Sequence, residues 1–473
     1  MASRPTPRRS PAFRCTECGW TAAKWVGRCG ECQAWDSVAE AAGGSGPPGR
    51  TSAAPVSSPA LRIAEVDTAR AVARPTGMAE FDRVLGGGLV PGAVVLVAGE
   101  PGIGKSTLLL DVAAGVARQG GPVLYVSGEE SAAQVRGRAE RIGAMADALY
   151  LAAETDLATV LGQVEHVAPR LLVVDSVQTI ASAQVEGQAG NVTQVREVAA
   201  SLIAVAKSRG IAVLLVGHVT KDGAIAGPRL LEHLVDVVLA FEGDRHSRLR
   251  LVRAVKNRFG PTDEVGCFDL SDAGIVGLPD PSGLFRSSRD HAVPGTCVTV
   301  TLEGRRPLVA EVQALVAPST LASPRRTTSG LDPARLAMVI AVLDKRMRAP
   351  VASCDIFVAT VGGVRLTEPA VDLAALLAIG SSFLDRPLPS DVVACGEVGL
   401  AGEVRRVPGM QRRLAEASRL GFVSALVPRG GLADLAVPPG LHVVEVADVG
   451  AALQAMDRLS HGRAREAVAV ASA

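Results

Sequence analysis

The sequence predicts an α/β fold built on a parallel sheet, and three observations support this. From about residue 62 onward, short apolar segments alternate with segments that carry apolar residues at helical spacing. The short segments AVVLVAG, PVLYVSG, LLVVDS and IAVLLVGH are apolar almost throughout, as in strands buried on both faces. The segments KSTLLLDVAAGVARQ and VREVAASLIAVAKSRG between them are predicted to be the covering helices.

Composition and length limit the class of protein. The 473 residues are enough for two or three domains, and a hydrophobic content of 48% argues against disorder. The net charge of +1 gives the whole protein no long-range electrostatic attraction to nucleic acid or membrane. The aromatic content of 3% disfavours a base-stacking platform over most of the chain. No apolar run approaches the ~18–20 residues of a membrane helix, and the basic N-terminus lacks the apolar region of a secretory signal. We therefore expect no membrane association.

Shifts in composition divide the chain into five predicted segments. A flexible linker is indicated by the run EAAGGSGPPGRTSAAPVSSPA, which is rich in Gly, Pro, Ser and Ala and has no periodicity. The predicted segments are a Cys-rich module at 13–35, the linker at 36–61, the parallel-sheet domain at 62–285, a third module of mixed α/β character at 286–460 and a tail at 461–473.

Four of the eight cysteines have the spacing of metal ligands, two C-x2-C pairs separated by ten residues. They are Cys15, Cys18, Cys29 and Cys32. Two such pairs can complete a closed tetrahedron of thiolates, so the sequence predicts a structural Zn²⁺ site; the alternative is a pair of disulfides or buried thiols. The other four cysteines are scattered and predicted to be small buried residues, in a reducing, cytoplasmic compartment. They are Cys267, Cys297, Cys354 and Cys395.

All three tryptophans, Trp20, Trp25 and Trp35, lie in or beside this small module. One interpretation is that they pack over a site too small to form its own core, and the other is that one of them stacks on a base. Residues 1–35 contain six Lys and Arg against two Glu, a charge of +4 that four thiolates and Zn²⁺ reduce by two. This excess gives modest support for a nucleic-acid or protein partner.

The segment VVLVAGEPGIGKSTLLL contains the pattern G-x4-G-K-S between a predicted strand and a predicted helix, the context that a phosphate-binding loop requires. Its glycines let the backbone wrap a phosphate with N–H groups, and the helix N-terminus adds a positive end. We expect Lys105 to reach the β- and γ-phosphates of a nucleotide and Ser106 to ligate Mg²⁺. The predicted nucleotide-binding residues are Gly99, Glu100, Pro101, Gly102, Ile103, Gly104, Lys105, Ser106 and Thr107.

Polar residues follow three of the other predicted strands. Asp175 ends RLLVVD, where a carboxylate beside the phosphate loop can hold Mg²⁺ directly or through water. Glu129 follows VLYVSG and can orient the attacking water, although Glu129 and Glu130 can equally stabilise the first turn of the next helix. His218 ends IAVLLVGH and is either a sensor of nucleotide or a plain strand-end histidine.

Two cations, Lys256 and Arg258, stand two residues apart in LVRAVKNRFGPTD, at what is predicted to be a strand end. Alternation places both on one face of the strand. Such a pair is useful if it meets the γ-phosphate bound by a neighbouring subunit, as arginine fingers do in other phosphate-loop enzymes. The alternative is two solvated charges that discourage edge aggregation.

Four features in this order, the cysteine pairs, GEPGIGKST, YVSGEES and KNRFG, closely resemble the bacterial RadA (Sms) family of DNA-repair proteins. The resemblance covers nearly the whole chain, and KNRFG is highly specific to that family. It implies a RecA-like ATPase core with ATP, Mg²⁺ and Zn²⁺ as cofactors. Carried over by position, it makes Glu129 the water-orienting carboxylate and puts Lys256 and Arg258 in a segment needed for productive ATP use.

The same resemblance implies the protein's partners and biological role. It implies a hexameric ring around DNA, similar to DnaB-type helicases, which acts with RecA in homologous recombination and the response to DNA damage. ATP hydrolysis stimulated by DNA would drive branch migration on single-stranded and branched DNA. The segment VTKDGAIAGPRLLEHLVD matches a DNA-facing loop of RecA-like rings, so Lys221 and Arg229 are candidates for phosphate contacts.

The C-terminal module resembles the proteolytic domain of Lon, through VGGVRLTEPAVDLAALLAIG and GEVGLAGEVRRVPGMQRRLAEA. Where Lon has its serine this chain has Ala370, and where Lon has its lysine it has Gln411. A methyl group cannot attack a carbonyl, so we expect the scaffold without the protease chemistry. Three basic pairs fit contact with DNA or another subunit, or else simple surface solubility. They are Arg305/Arg306, Arg405/Arg406 and Arg412/Arg413.

Three functions are therefore compared. The sequence favours a DNA-stimulated ATPase motor that remodels recombination intermediates. A nucleotide-gated adaptor, whose zinc module recruits a partner without translocation, would show ATP turnover that single-stranded DNA does not change. An ATP-dependent protease is disfavoured by Ala370 and Gln411.

Overall fold

The computed structural model describes residues 13–22, 24–40, 60, 62–65, 71–218, 231–243, 248–284, 292–347, 350–432 and 435–471. The chain divides into two compact units, Met1–Asp67 and Thr68–Ala473. Among the described residues no helix is both long and apolar enough to cross a bilayer. The predicted α/β class with a parallel sheet is confirmed.

The first unit contains a three-stranded antiparallel sheet in the order β2-β1-β3. Its strands are β1 (Phe13–Cys15), β2 (Thr21–Ala22) and β3 (Val38–Glu40). Cys15, Cys29 and Val38 form a small buried core, against which Phe13, Trp20 and Val26 pack. Since Val38 belongs to this core, β3 is part of the module although it lies past residue 35, where the sequence-based boundary stands.

The second unit begins with a nine-stranded sheet in the order β12-β11-β10-β9-β4-β8-β7-β5-β6. The strands are β4 (Val94–Gly99), β5 (Val123–Ser127), β6 (Leu149–Ala153), β7 (Leu171–Asp175), β8 (Ala212–His218), β9 (Val237–Glu242), β10 (Leu249–Asn257), β11 (Val265–Ser271) and β12 (Gly274–Gly277). Strands β4 to β9 pair in parallel, and the four apolar strands predicted from the sequence are β4, β5, β7 and β8. Strands β10 to β12 extend the sheet in antiparallel fashion.

Helices cover both faces of this sheet, as near-continuous apolar strands require. One face carries α1 (Ala79–Leu85), α2 (Lys105–Arg118) and α3 (Ala132–Arg141), and the other carries α4 (Leu157–Val167) and α5 (Val192–Arg209). Ser131 begins α3 with a capping box to Gln134, Asn191 caps the N-terminus of α5, and Gly210 ends α5 in the left-handed conformation. Both predicted helices, now α2 and α5, are confirmed.

A second sheet of seven strands follows, in the order β15-β16-β14-β13-β17-β20-β21. Its strands are β13 (Thr296–Glu303), β14 (Arg306–Pro318), β15 (Arg326–Ser329), β16 (Cys354–Thr360), β17 (Val392–Ala394), β20 (Ser424–Pro428) and β21 (His442–Val446), while β18 (Glu397–Val398) and β19 (Val404–Arg405) form a separate two-stranded sheet. One core packs it against α6 (Pro333–Met347), α7 (Asp372–Leu384) and α9 (Val449–Ala471), and another against α8 (Met410–Arg419).

A buried arginine joins the two sheets. Arg306, 7% exposed, pairs with Glu80 of α1, which is 2% exposed. Its guanidinium also donates to the carbonyls of Leu278 and Pro279 at 2.8 Å and of Val265 at 3.1 Å. The prediction that Arg306 contacts DNA or another subunit is wrong, because the guanidinium is buried and already paired with Glu80.

The same prediction is wrong for Arg413, a member of a second basic pair, because it is also buried. Its side chain is 1% exposed and forms two bonds to the Glu368 carboxylate, at 2.6 and 2.7 Å. It therefore cannot reach DNA or another subunit. Their neighbours Arg305 and Arg412 are exposed, as are both members of the third pair, Arg405 and Arg406. The four scattered cysteines are buried thiols, as predicted.

Candidate functional site

The predicted nucleotide residues converge because the parallel strands end at one edge of the sheet. Gly99 at the end of β4 pairs in register with His218 at the end of β8, and Ser127 of β5 with Asp175 of β7. Glu129 follows β5 by two residues. The carboxyl edge of a parallel sheet is where α/β proteins bind ligands.

The loop between β4 and α2 has the backbone shape that a phosphate requires. Gly102 (φ +80°) and Gly104 (φ +106°) adopt left-handed conformations that a side chain would strain. A Cβ at Gly99 would lie 2.4 Å from the Phe241 carbonyl oxygen, so only glycine fits there. The loop leads directly into the N-terminus of α2 at Lys105, where free N–H groups favour an anion.

Lys105 is held over this loop. Its Nζ donates to the carbonyls of Gly99 at 2.8 Å and Glu100 at 2.7 Å, and the residue is only 3% exposed. Burial lowers the pKa of Lys105 to about 8, against the opposing effect of the Asp175, Glu129 and Glu100 carboxylates. At neutral pH the ammonium is therefore a partly desolvated cation, which an anionic ligand in the loop would stabilise.

Ser106 and Asp175 are the two predicted Mg²⁺ ligands. Ser106 is half-buried in the first turn of α2, and Asp175 is buried at the end of β7. The Tyr125 hydroxyl donates to Asp175 Oδ2 at 2.6 Å, and burial followed by the charge of Asp175 raises the pKa of that hydroxyl well above its usual value. One hydroxyl and one oriented carboxylate are the donors that Mg²⁺ prefers in phosphate-loop sites, so the residues present fit the ion.

Glu129 and Glu130 have different environments. Glu129 Oε1 accepts from the Ser176 hydroxyl at 2.8 Å and lies 3.0 Å from His218 Nε2. Because a carboxylate accepts, His218 Nε2 carries the hydrogen in this contact. Glu130 instead pairs with Arg138 of α3. Glu129 is thus directed across the sheet edge rather than at the helix, and His218 contacts it.

Three residues that support the site carry no sequence signal. Tyr125 and Ser176 hold the two carboxylates, and Arg250 of β10 donates from Nε to the Ile103 carbonyl of the phosphate loop at 2.9 Å. Arg250 is 5% exposed and lies 147 positions from its partner in sequence. No local pattern predicts such a contact, since it depends on how β10 is placed in the sheet.

The two predicted finger cations lie at the opposite edge of this sheet. Asn257 pairs with Val237 of β9, and Val237 pairs with Val95 near the start of β4. Four residues at about 3.3 Å each separate Val95 from Gly99, so Arg258 is more than about 13 Å from its own chain's phosphate loop. Neither cation can serve that loop.

Three residues of the KNRFG segment have side-chain contacts of their own. Lys256 Nζ donates to the carbonyls of Glu232 at 2.7 Å and Val235 at 2.8 Å, while Asn257 Nδ2 donates to the last carbonyls of α1. Arg258 Nη1 pairs with Asp236 Oδ1 at 2.9 Å, and Phe259 is exposed.

Each cation therefore has a partner, so the alternative interpretation of two merely solvated charges does not hold. A register shift between Ala254 and Lys256 and the end of β10 at Asn257 also break the simple alternation, so Lys256 and Arg258 do not lie on one strand face. Lys256 is half-buried over backbone carbonyls, whereas the Arg258 side chain is 52% exposed. The predicted DNA contacts, Lys221 and Arg229, lie outside the described residues.

The four clustered cysteines form a compact donor set. Their sulfurs all lie within 4.8 Å of one another, with Cys15 and Cys32 at 3.7 Å and Cys18 and Cys29 at 3.5 Å. A tetrahedral Zn²⁺ with Zn–S bonds of about 2.3 Å places sulfurs about 3.8 Å apart, so the thiols fit the ion. None of the four is in a disulfide, and two of them, Cys18 and Cys32, are exposed rather than buried.

Cys29→Ser is expected to release the zinc, because three thiolates and a hydroxyl bind Zn²⁺ far more weakly than four thiolates. The metal content measured by elemental analysis should fall from stoichiometric to near zero, while the second unit keeps its melting temperature. The matched control is Cys354→Ser, which replaces a buried cysteine of the second unit. That variant protein should keep stoichiometric zinc. Full zinc in Cys29→Ser would refute the four-thiolate site.

The tryptophans of this module differ in burial. Trp20 packs against the small core, whereas Trp25 is 60% exposed and Trp35 is 74% exposed. The Arg28 guanidinium lies 5.4 Å from the Trp35 ring. Trp25 and Trp35 are therefore not buried core residues of the module.

The predicted remnants of a protease pair differ in exposure. Ala370 is 1% exposed in a short 3-10 turn (Pro369–Val371) that leads into α7. Gln411 is exposed on α8 and donates to the Ala436 carbonyl at 3.0 Å. Neither side chain offers a nucleophile or a base.

Two family models match the chain. The model described as an AAA domain matches residues 58–224, and the one described as a rubredoxin metal-binding domain matches residues 13–40. The first contains the phosphate loop and the second contains the four thiols. ATP and Mg²⁺ are accordingly the cofactors of the ATPase domain, and Zn²⁺ is that of the ribbon.

A solved structure, a KaiC-like protein from Pyrococcus horikoshii, aligns with 44% of this chain and 100% of its own, at 22% identity and a TM-score of 0.36. Curated relatives match over more than nine-tenths of their length. DNA repair protein RadA of Mycobacterium tuberculosis H37Rv is 57% identical, over 94% of this chain and 92% of its own. Its namesakes in Mycolicibacterium smegmatis and Streptococcus pyogenes serotype M1 are 56% and 45% identical, over 95% of this chain and 97% and 99% of theirs. The chain belongs to the RadA family of DNA repair proteins.

Proposed function

We propose that this chain is a DNA-stimulated ATPase motor that drives branch migration during recombinational DNA repair, together with RecA. The observation that carries the proposal is the division of charges between two edges of one sheet. Lys105, Glu129 and Asp175 lie at the carboxyl edge, and Arg258 lies at the other. High identity to proteins named DNA repair protein RadA supports the biological role.

This division favours ATP hydrolysis at the interface between two copies of the chain, here called the seam. A chain whose finger lies more than about 13 Å from its own loop can complete only a neighbour's site. Such a head-to-tail contact closes into a ring when the rotation between copies permits, and we propose a hexamer. Lys256 would contact the neighbour's nucleotide only by leaving two carbonyls, so Arg258 is the stronger candidate for direct contact.

Within each site the chain's own residues divide the chemistry. The loop amides and Lys105 would bind the phosphates of ATP, and Ser106 and Asp175 would hold Mg²⁺, which neutralises charge that develops on the phosphate oxygens. Glu129, fixed by Ser176 and His218, would orient the attacking water. Arg258 of the next copy would stabilise the transition state, a contribution worth ~10³–10⁵ in rate in related enzymes.

DNA is the proposed track for the motion. Because Arg306 and Arg413 are buried, DNA contacts must come from other residues, and Lys221 and Arg229 remain the proposed phosphate contacts. Proteolysis is not part of the proposal, since Ala370 and Gln411 provide no catalytic pair. A cytoplasmic location likewise remains a proposal.

The test measures ATP turnover and branch extension on a joint molecule made by RecA, with and without single-stranded DNA. We expect single-stranded DNA to stimulate turnover and branch extension to require hydrolysable ATP. Turnover that single-stranded DNA leaves unchanged, without branch extension, would contradict the motor and favour the adaptor. A casein-digestion assay should remain negative.

A further inference from the structure

Arg258 has a buried partner whose contacts extend to the strand that carries the phosphate loop. Asp236 is 5% exposed and precedes β9 by one residue. Its Oδ1 accepts from Arg258 Nη1 at 2.9 Å and its Oδ2 accepts from the Val94 amide of β4 at 3.1 Å. One carboxylate thus binds the finger and the first residue of β4 together.

The backbone reinforces both contacts. The Asp236 amide donates to the Val94 carbonyl at 3.0 Å, and the Arg258 amide donates to the Asp236 carbonyl at 3.2 Å. Lys256 meanwhile binds the carbonyls of Glu232 and Val235, which come just before Asp236. The segment that precedes β9 and the segment that follows β10 are therefore fixed to each other on both sides of the carboxylate.

The Arg258 side chain is oriented by this arrangement without being buried. It remains 52% exposed, and among the described residues its guanidinium bonds only to Asp236. A guanidinium has five N–H donors in a planar fork, so one bound edge leaves the other edge available to an anion. An exposed arginine without such a partner would lose side-chain entropy on meeting a phosphate, whereas a held one has already lost much of it.

We propose that Asp236 is a positioning residue that directs Arg258 toward the nucleotide of the neighbouring copy. This inference rests on the proposed seam between copies and adds a residue to it. Asp236 touches no nucleotide, and it acts through Arg258. The bond from Asp236 to Val94 also joins Arg258 to β4, and the other end of β4 leads into the phosphate loop of the same chain. A displacement of the phosphate loop would therefore displace Arg258 as well, and the reverse.

The test mixes inactive variants whose defects lie on opposite sides of the seam. Asp236→Asn should lower ATP turnover about 10²-fold, the scale of a misplaced catalytic group, while nucleotide still binds to its own loop. Lys105→Ala should be inactive but should keep a normal finger. A random equal mixture places an intact loop beside an intact finger at a quarter of the seams, so turnover should recover to about a quarter of the native value.

The outcomes separate this inference from the proposed function. Recovery with Arg258→Ala plus Lys105→Ala, but not with Asp236→Asn plus Lys105→Ala, would overturn the role of Asp236 and leave the seam intact. Recovery in neither mixture would overturn both. Asp147→Asn, at an exposed aspartate, is the matched control and should turn over ATP at the native rate.

A second variant covers the case in which Asp236→Asn does not fold. Asp236→Glu keeps the negative charge but moves the carboxylate by one methylene group. We expect kcat to fall at least tenfold with KM for ATP unchanged, because the variant's own phosphate loop is intact. A native kcat in Asp236→Glu would overturn the positioning role, whether or not KM for ATP is raised.

Discussion

Lys105→Ala is expected to abolish ATP turnover. The ammonium is held over the loop between β4 and α2 by two backbone carbonyls, and burial makes it a strong partner for an anion. Removing such a charge from a phosphoryl-transfer site costs at least about 10²–10³ in rate. Phosphate release, measured with saturating ATP, Mg²⁺ and single-stranded DNA, should fall to background.

A matched control separates loss of the site from loss of the fold. Lys207 is an exposed lysine in the last turn of α5, on the same domain, and Lys207→Ala should keep native turnover. Lys105→Ala should keep its melting temperature in the absence of nucleotide. Native turnover in Lys105→Ala would mean that the nucleotide binds elsewhere.

Arg306→Ala is expected to destabilise the second unit by about 3–5 kcal/mol. It would leave the Glu80 carboxylate, 2% exposed, with the half-exposed Arg83 at 3.5 Å as its remaining cation, and three backbone carbonyls would lose a donor. Breaking a buried ion pair from one side has a cost of this size, because the remaining charge stays in the interior with poorer compensation. The midpoint of urea denaturation should fall accordingly.

The neighbouring residue provides the control for this prediction. Arg305 pairs with Asp263 at the surface, with both side chains about half exposed, so Arg305→Ala should cost no more than about 1 kcal/mol. The double variant Glu80→Ala/Arg306→Ala should lose less than the sum of its two single variants, since the two residues interact. Equal effects of Arg305→Ala and Arg306→Ala would contradict the buried role of Arg306.

Features that depend on local sequence were predictable. Strands β4, β5, β7 and β8 follow from continuous apolar runs, and the phosphate loop follows from glycines between a strand and a helix. The thiol cluster follows from two C-x2-C pairs, each a local turn whose geometry is fixed by its spacing. In each case the residues that determine the structure are near one another in sequence.

Features that depend on distant partners were not predictable. Arg306 and Glu80 are 226 positions apart, and Arg413 and Glu368 are 45 apart, so adjacent arginines gave no sign of which one is buried. The antiparallel strands β10 and β11 contain charged residues that obscure their buried faces. The contacts of Lys256 and Arg258 could not be predicted, because they depend on the segment from Glu232 to Asp236 lying beside β10 in the folded chain.

The most direct measurement of the proposed seam is ATP turnover per chain at a series of protein concentrations. Molar mass is followed by light scattering in the same samples, with ATP, Mg²⁺ and single-stranded DNA present. Because Arg258 cannot reach its own phosphate loop, turnover per chain should fall in step with the oligomer as the protein is diluted. A single chain that hydrolyses ATP at the full rate would contradict catalysis between copies.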